Sequence, residues 1–280
     1  MSKILRLSAA VGAGLILLTG MTACAPASAP SSAPAPATTA PATSAPATSA
    51  PAPAKTYIIQ SDTAFPPFEY LDTATSKYVG IDMDLLAAIA KDQGFSYEMK
   101  NVGFDAAMGA VQAGQADGMI AGMTIKDERK KTFDFSDGYF EAGQILVVSA
   151  NSSVASLADL KGKTVAVKAG TMGRDYAESV KAKYGFTTQT YKDSPTMYQA
   201  VIGGSNDACF EDAPVVQYAI AKQGVKLKTL GDVINPLPYG FAVQKGKVPE
   251  LITMFNKGLA NIKASGEYTK ILANYGVTAA

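Results

Sequence analysis

The sequence predicts an α/β fold with mainly parallel sheets over residues 55–280. Short apolar runs alternate there with segments whose apolar residues recur at helical spacing, which is typical of βαβ units. The last two helical segments, separated by Gly266, have no strand after them, so we expect them to cover a sheet. With 48% hydrophobic and 18% charged residues, the 280-residue chain can bury the core of one large or two small domains.

The predicted elements follow from periodicity. Nine short runs are predicted as strands, namely 57–60, 96–100, 118–121, 144–149, 164–168, 187–191, 208–211, 226–230 and 239–243. Seven segments are predicted as helices, namely 82–93, 104–113, 174–184, 195–203, 214–223, 248–265 and a last one ending near Tyr275. The sequence has no internal repeat of a fixed period.

The first 23 residues are predicted to be a secretory signal peptide. Lys3 and Arg6 precede an apolar stretch, 9–18, that is shorter than the roughly 20 residues needed to span a bilayer. Residues 21–24 read Met-Thr-Ala-Cys and resemble the bacterial lipobox, whose cysteine is diacylated. Cys24 is therefore the predicted lipidation site, since several acyl chains give durable anchoring. A free cysteine behind an ordinary cleaved signal is the alternative.

Residues 24–54 are predicted to be a lipidated cysteine followed by a disordered linker. From residue 25 onward the segment uses only Ala, Pro, Ser and Thr, a composition that cannot build a core. Proline-rich chains of this kind extend by about 3.1 Å per residue, so the linker reaches on the order of 90 Å. We expect it to hold the folded part away from the outer face of a cytoplasmic membrane.

Composition excludes several classes of function. Lys plus Arg number 25 and Asp plus Glu number 24, so a net charge of +1 gives no footprint for nucleic acid. The absence of His removes the commonest general base and metal ligand. With only Cys24 and Cys209, a thiolate zinc site is also excluded. Cys209 lies in an apolar run and is expected to be a buried, inert thiol.

Seven short blocks within residues 55–280 each contain at least one charged residue. They are 62–69 (DTAFPPFE), 80–85 (GIDMDL), 121–129 (AGMTIKDER), 134–136 (DFS), 157–163 (LADLKGK), 165–171 (VAVKAGT) and 266–268 (GEY). In this order they resemble the polar amino acid family (family 3) of ABC-importer substrate-binding lipoproteins, and within it the glutamine-binding branch. The resemblance covers nearly all of the chain after the linker.

The resemblance implies a two-lobed, periplasmic-binding-protein-like fold of type 2 with two hinge strands. Lobe 1 is expected over 55–141 and again over 239–280, and lobe 2 over 142–238. The hinge crossings are expected near 139–145 and 235–241. The resemblance also implies a monomer without cofactor or metal, which receives a small amino acid between its lobes and presents it to importer membrane subunits.

The carboxylate of an amino acid requires a cationic fork, which only Arg supplies. The chain after the linker has two arginines, and the resemblance places Arg129 on the ligand carboxylate, assisted by Thr124 and by the backbone of Ala121 and Gly122. The alternative is a surface ion pair of Arg129 with an adjacent acidic residue. The other arginine, Arg174, is expected to be a solvated surface residue.

On the other side of the cleft, Thr171 and Met172 directly precede the predicted helix 174–184, whose free N–H groups also attract a carboxylate. Thr171 can equally be only the helix N-cap. Asp212 is the predicted partner of the ligand ammonium, with helix capping as its alternative. Phe65 and Phe104 are predicted to be apolar walls, or else ordinary core residues.

Selectivity for the ligand side chain is predicted from Asp62 and Lys168, which together can pair both ends of a carboxamide. Glutamine is therefore the first choice, since a half-paired buried amide costs about 1–3 kcal/mol. Glu211 departs from the glutamine-binding branch and leaves a basic ligand such as arginine open. Glutamate is a further alternative that needs Lys168 unpaired. There are two rival functions. One is a cleft enzyme of dehydratase type, which without His would need a carboxylate as its acid or base. The other is a sensor or adhesin on the same fold.

Overall fold

The computed structural model describes residues 55–278, so the predicted signal peptide, Cys24 and the linker lie outside the described residues. Within this range the strands are β1 (Thr56–Ser61), β2 (Ala64–Phe65), β3 (Glu69–Asp72), β4 (Lys77–Val79), β5 (Ser96–Asn101), β6 (Gly118–Met119), β7 (Phe133–Phe135), β8 (Phe140–Ser149), β9 (Thr164–Lys168), β10 (Thr187–Tyr191), β11 (Ala208–Asp212), β12 (Leu227–Tyr239) and β13 (Ala242–Gln244).

The helices are α1 (Ile81–Gln93), α2 (Phe104–Gln112), α3 (Met172–Tyr184), α4 (Ser194–Ile202), α5 (Ala213–Gln223), α6 (Pro249–Ala264) and α7 (Glu267–Asn274). Short 3-10 turns cover Arg129–Lys131 and Leu157–Leu160. All seven predicted helices are confirmed to within two residues at each end. Their ends follow local chemistry: α3 begins after its N-cap Thr171 and ends at Gly185, which adopts the left-handed conformation that glycine favours.

Each lobe is organised around its own five-stranded sheet. The strand order is β5-β1-β6-β13-β7 in lobe 1 and β10-β9-β11-β8-β12 in lobe 2, and lobe 1 also contains a small sheet, β2-β3-β4. In lobe 1, α6 buries the predicted stripe of Leu251, Phe255, Leu259 and Ile262. Separate apolar cores lie within lobe 2. The predicted two-lobed α/β fold is therefore confirmed.

The expectation of mainly parallel sheets is wrong for one side of each sheet. The pairs β1–β5, β1–β6, β9–β10 and β9–β11 are parallel, as βαβ units require. In contrast, β8 is antiparallel to β11 and β12, and β13 is antiparallel to β6 and β7. The reason is topological: β8 leads from lobe 1 into lobe 2 and β12 leads back, so the two run in opposite directions.

The crossing strands β8 and β12 run side by side between the lobes. Phe140 is opposite Tyr239, and Ala142 is opposite Leu237. Just before β8, the backbone N–H of Tyr139 donates to the Tyr239 carbonyl over 2.9 Å. These strands overlap the expected crossings near 139–145 and 235–241, whereas the exact lobe boundaries remain predictions.

Four strand predictions have wrong bounds. Strand 226–230 continues as β12 to Tyr239, strand 239–243 begins only at Ala242, strand 118–121 ends at Met119, and strand 144–149 begins already at Phe140. The four short strands β2, β3, β4 and β7 were not predicted, since two to four residues are too few to show a period. No helix within 55–278 has the length and apolarity to cross a bilayer.

Candidate ligand-binding cleft

The predicted site residues converge on one small cavity between the lobes. Eleven of the twelve line it: Phe65, Phe104, Ala121, Gly122, Thr124, Arg129, Lys168, Thr171, Met172, Glu211 and Asp212. The twelfth, Asp62, is fully buried and forms an ion pair with Lys168. Residues up to Arg129 belong to lobe 1 and those from Lys168 onward to lobe 2. The cavity is therefore built from both halves, while the ligand contacts themselves remain predictions.

The Arg129 guanidinium lies inside the cleft, and only 5% of the residue is exposed. Its Nη1 donates to the Thr124 carbonyl over 2.9 Å, and its Nη2 donates across the cleft to the Gly170 carbonyl over 2.8 Å. The guanidinium carbon is 5.4 Å from the centroid of the Phe104 ring. Burial lowers the pKa of Arg129, but an arginine stays charged in proteins. The site thus contains a buried cation with a planar fork of donors.

The alternative of a surface ion pair for Arg129 does not hold. The neighbouring carboxylates belong to other cations: Asp127 pairs with Lys130 over 3.1 Å, and Glu128 pairs with Lys126 over 3.4 Å. Arg174 is exposed, as expected of a solvated residue. Position alone distinguishes the two arginines, because a 3-10 turn directs Arg129 into the cleft.

The loop 121–124 forms the lobe 1 wall next to Arg129. Gly122 has φ +55°, and a Cβ there would lie 2.6 Å from the Phe65 ring, so only glycine fits. The Gly122 N–H donates to Asp82 Oδ2 over 2.8 Å. This N–H therefore already has an anionic acceptor within lobe 1.

Thr171 caps α3, the alternative to a ligand contact. Its Oγ1 accepts from the Arg174 N–H over 3.4 Å and donates to the Lys168 carbonyl over 2.9 Å. Thr171 and Met172 nonetheless line the cavity, so the N-terminus of this 13-residue helix lies at the cleft. Helix capping and a ligand contact are compatible here, because the remaining N–H groups of the first turn stay available.

Asp212 ends β11 and stands at the N-cap position of α5, but its side chain makes no capping bond. Its Oδ1 accepts from Gln144 Nε2 over 2.7 Å, and its Oδ2 accepts from the Tyr239 hydroxyl. The helix-capping alternative is therefore not the role of this carboxylate. Gln144 belongs to β8 and Tyr239 to β12, so both crossing strands hold the predicted ammonium partner.

Lys168 and Asp62 form an ion pair across the cleft, with their side chains 2% and 0% exposed. The Lys168 Nζ lies 4.5 Å from the Phe65 ring centroid and 5.7 Å from that of Phe104. Burial lowers the pKa of Lys168, but the carboxylates of Asp62, Glu211 and Glu69 outweigh it, so the pKa is raised. Lys168 is thus a buried ammonium that stays charged.

Glu211 adds a carboxylate beside this pair. Its Oε2 accepts from the Tyr198 hydroxyl over 3.1 Å, and its Oε1 accepts from the Asp212 N–H over 3.0 Å. Burial raises the pKa of Glu211 to about 7, since the Lys168 charge lowers it only in part and the Asp212 charge raises it. Glu211 therefore titrates near neutral pH.

Phe65 and Phe104 combine the two roles that were open for them. Each is 5% exposed and belongs to a lobe 1 core cluster, and each also lines the cavity. They form the apolar edge where the core meets the cleft.

Sequence reasoning missed Gln144, Tyr239, Asp82 and Tyr139, which hold the site residues rather than line the cavity. Gln144 offered one signal, a polar residue at the head of the apolar run Ile-Leu-Val-Val. The others lie 17 to 57 residues from their partners, as in the Tyr139–Asp82 hydrogen bond, and no local pattern shows such contacts.

Further contacts join the lobes. The Tyr70 and Tyr218 hydroxyls are 3.4 Å apart, and Lys126 pairs with Asp175 in the first turn of α3. Together with the Arg129–Gly170 and Lys168–Asp62 contacts, they describe a closed arrangement of the cleft. Among the described residues, no three His, Cys, Asp or Glu side chains are grouped to hold a metal ion.

Comparison with known proteins agrees with this architecture. A probable histidine-binding protein of Neisseria gonorrhoeae is 33% identical over 227 residues, which cover 80% of this chain and 84% of that protein. The glutamine-binding protein GlnH of Bacillus subtilis is 32% identical over 218 residues, covering 76% of this chain and 77% of that one.

Among solved structures, an ancestral arginine-binding protein bound to arginine is 39% identical. It has a TM-score of 0.73 and covers 79% of this chain and 98% of its own. The family model for bacterial extracellular solute-binding proteins, family 3, matches residues 57–278, the whole two-lobed region apart from its first and last residues. The chain therefore belongs to family 3 of the bacterial extracellular solute-binding proteins, the amino-acid-binding components of ABC importers.

Proposed function

We propose that this chain captures glutamine in the cleft and delivers it to an ABC importer. The observation that carries the choice is the buried Lys168–Asp62 pair beside the Phe65 and Phe104 rings. A carboxamide has one acceptor and one double donor, so its oxygen can accept from Lys168 while its nitrogen donates to Asp62. This pairing leaves no buried polar atom of the amide unsatisfied.

The charges of the site argue against a ligand with a charged side chain, whether basic like arginine or acidic like glutamate. A cationic ligand group 4 Å from Lys168 would cost about 4 kcal/mol at the effective dielectric of a protein surface. A ligand carboxylate would need Lys168 unpaired, whereas Asp62 already occupies it. A neutral side chain adds no charge to either member of the pair.

Arginine is the second candidate, and a specific observation favours it. The site contains three carboxylates, Asp62, Glu211 and Asp212, and two cations, Arg129 and Lys168. It therefore carries one excess negative charge when Glu211 is ionised. The arginine-bound ancestral structure shows that a relative of this chain takes that ligand, while GlnH of Bacillus subtilis is named for glutamine. The raised pKa of Glu211 weakens the argument, because the excess charge is partly lost at neutral pH.

Ligand-driven closure is the proposed mechanism. Arg129 in one lobe binds the ligand carboxylate, and Asp212 in the other binds the ammonium, so the ligand favours the closed state over the open one. The closed form is then the one that the importer subunits recognise. The relatives are binding proteins rather than enzymes, and we propose that the ligand leaves the cleft chemically unchanged.

The ligand is tested by thermal unfolding of residues 55–280 with each of the twenty amino acids. At a thousandfold excess over Kd, a specific ligand stabilises the fold by about 4 kcal/mol, so we expect the largest rise in Tm with glutamine. The Arg129→Ala variant is the matched control and should show no rise with any of them. A larger rise with arginine or glutamate than with glutamine would overturn the choice.

We further propose that Cys24 anchors the mature chain to the outer face of the cytoplasmic membrane, with 1–23 removed. Replacing Cys24 by Ala should leave the protein exported but shift it from the membrane to the soluble fraction, because its acyl chains are lost. Fractionation and labelling with a radioactive fatty acid measure this. Equal membrane retention of both forms would contradict the anchor.

A further inference from the structure

Glu69 and Asp82 meet as a carboxyl pair beneath the loop 121–124. Glu69 begins β3 and Asp82 is the second residue of α1, and both are fully buried. The backbone N–H of Asp82 donates to the Phe68 carbonyl over 2.9 Å, which places Asp82 beside Glu69, and the two carboxyl groups face each other. Neither lines the cavity, so the predicted site does not account for them.

Asp82 holds the loop 121–124, which we call the ligand loop. Its Oδ2 accepts from the Gly122 N–H and from the Tyr139 hydroxyl, each over 2.8 Å. Gly122 lines the cavity, and Tyr139 directly precedes the crossing strand β8. One carboxylate therefore fixes both a cleft wall and the start of a crossing strand.

The Glu69 half has no other partner. Among residues 55–278, no N–H or O–H group outside the pair donates to either Glu69 oxygen or to Asp82 Oδ1. Two ionised carboxylates cannot hydrogen-bond to each other and repel strongly when buried, as in other carboxylate dyads. The contact between them therefore requires a proton.

We propose that Glu69 and Asp82 share one proton, and that Glu69 acts as a neutral acid that holds the Asp82 carboxylate toward the Gly122 N–H. Glu69 is then a positioning residue for the ligand loop, acting through Asp82. The positioning role rests on the proposed ligand site, whereas the shared proton can be tested by spectroscopy without any ligand.

The charged surroundings support this distribution of the proton. Glu69 faces Asp82 from α1, Asp62 from the end of β1 and Lys168 from β9. Burial and the two carboxylates raise the pKa of Glu69 well above its usual range, and Lys168 only partly opposes them. Burial raises the pKa of Asp82 to about 6, since the donors Gly122 and Tyr139 limit the rise. At pH 7 to 8 the proton therefore lies on Glu69 and the charge on Asp82.

The direction of the pH effect on stability follows. A carboxyl whose pKa is raised on folding holds a proton that the unfolded chain has already released above about pH 4.3. The contribution of Glu69 to stability is therefore full at low pH and falls as the pH rises toward its raised pKa. A Glu69→Gln variant removes this loss, because its amide is a neutral donor at every pH.

The test compares Glu69→Gln, Glu69→Met and the exposed control Glu98→Gln on residues 55–280. Infrared difference spectra at pH 8 should show the band of a protonated carboxylic acid in wild type and in Glu98→Gln, and no such band in Glu69→Gln. The Tm of wild type should fall relative to Glu69→Gln between pH 5 and pH 8. The Glu98→Gln variant should follow wild type.

Glutamine affinity by calorimetry reports the positioning role. Glu69→Gln keeps a donor toward Asp82 and should bind within about threefold of wild type, while Glu69→Met, of similar volume and without a donor, should lose about tenfold, equivalent to one hydrogen bond. Absence of the acid band from wild type would overturn the shared proton. Equal losses in the Gln and Met variants would overturn the positioning role, and a protein that binds no amino acid but retains the band would instead refute the proposed function.

Discussion

Replacing Arg129 by Ala should abolish measurable amino acid binding while the protein stays folded. The guanidinium is the buried cationic fork of the cleft, and without it the ligand carboxylate would be enclosed with no positive partner. Truncating one member of a buried, hydrogen-bonded charge pair costs about 2–5 kcal/mol or more, which corresponds to roughly 30-fold to several thousandfold in Kd. Calorimetric titration with glutamine measures this loss.

The fold should tolerate the change, because removal of Arg129 leaves no carboxylate unpaired. Its two acceptors are the carbonyls of Thr124 and Gly170, which can be solvated when the cleft opens. We expect a stability loss of about 1–2 kcal/mol, the usual value for hydrogen bonds to a charged donor. The thermal transition should therefore stay cooperative.

Two further variants make the interpretation specific. Arg129→Lys keeps the charge but loses the planar fork, so its affinity should lie between those of wild type and Arg129→Ala. Arg174→Ala removes the exposed arginine and should bind as wild type does. Wild-type affinity in Arg129→Ala, or an equal loss in Arg174→Ala, would contradict the role assigned to position 129.

The accuracy with which the sequence predicts the structure differs between elements. The helices have clear periods and terminal signals, such as Thr171 before α3 and Gly185 after it, so they could be predicted almost to the residue. Strand β12 could not, because Gly231, Pro236 and Pro238 interrupt any strand pattern after Leu230. Its pairing with β8 continues through two register shifts, which tertiary contacts permit.

The same division applies to the cleft. Side chains that carry charge in the recognisable blocks, such as Arg129 and Lys168, could be proposed from sequence, and the structure brings them to one cavity. The groups that hold them could not, because Asp82 meets Gly122 across 40 residues and Asp212 meets Gln144 across 68. Only the fold determines such pairs.

Replacing Lys168 by Met should cause the largest loss of stability. The substitution keeps most of the volume but leaves Asp62 without its cation at 0% exposure. Glu211 also loses the positive charge that lowers its pKa. Removing one partner of a buried ion pair typically costs about 3–5 kcal/mol, because the remaining charge is neither solvated nor paired. Chemical denaturation at pH 8 measures the loss.

A double-mutant cycle separates the unpaired charge from lost packing. In Lys168→Met with Asp62→Asn the stranded carboxylate is gone, and the Asn oxygen can still accept from the Thr63 N–H, which now donates to Asp62 over 2.6 Å. The double variant should regain at least half of the lost stability. Lys163→Met, which breaks the partly exposed pair with Asp207, is the matched control and should cost at most about 1 kcal/mol.

The glutamine affinities of wild type, Lys168→Met and the double variant should rank differently from their stabilities. A carboxamide loses its donor in Lys168→Met and its charged acceptor as well in the double variant, so restored folding should not restore glutamine affinity. Stability then measures the burial of charge, and affinity measures the recognition of the amide. A double variant that binds glutamine as tightly as wild type would remove the Lys168–Asp62 pair from the recognition of the side chain, even if every stability prediction holds.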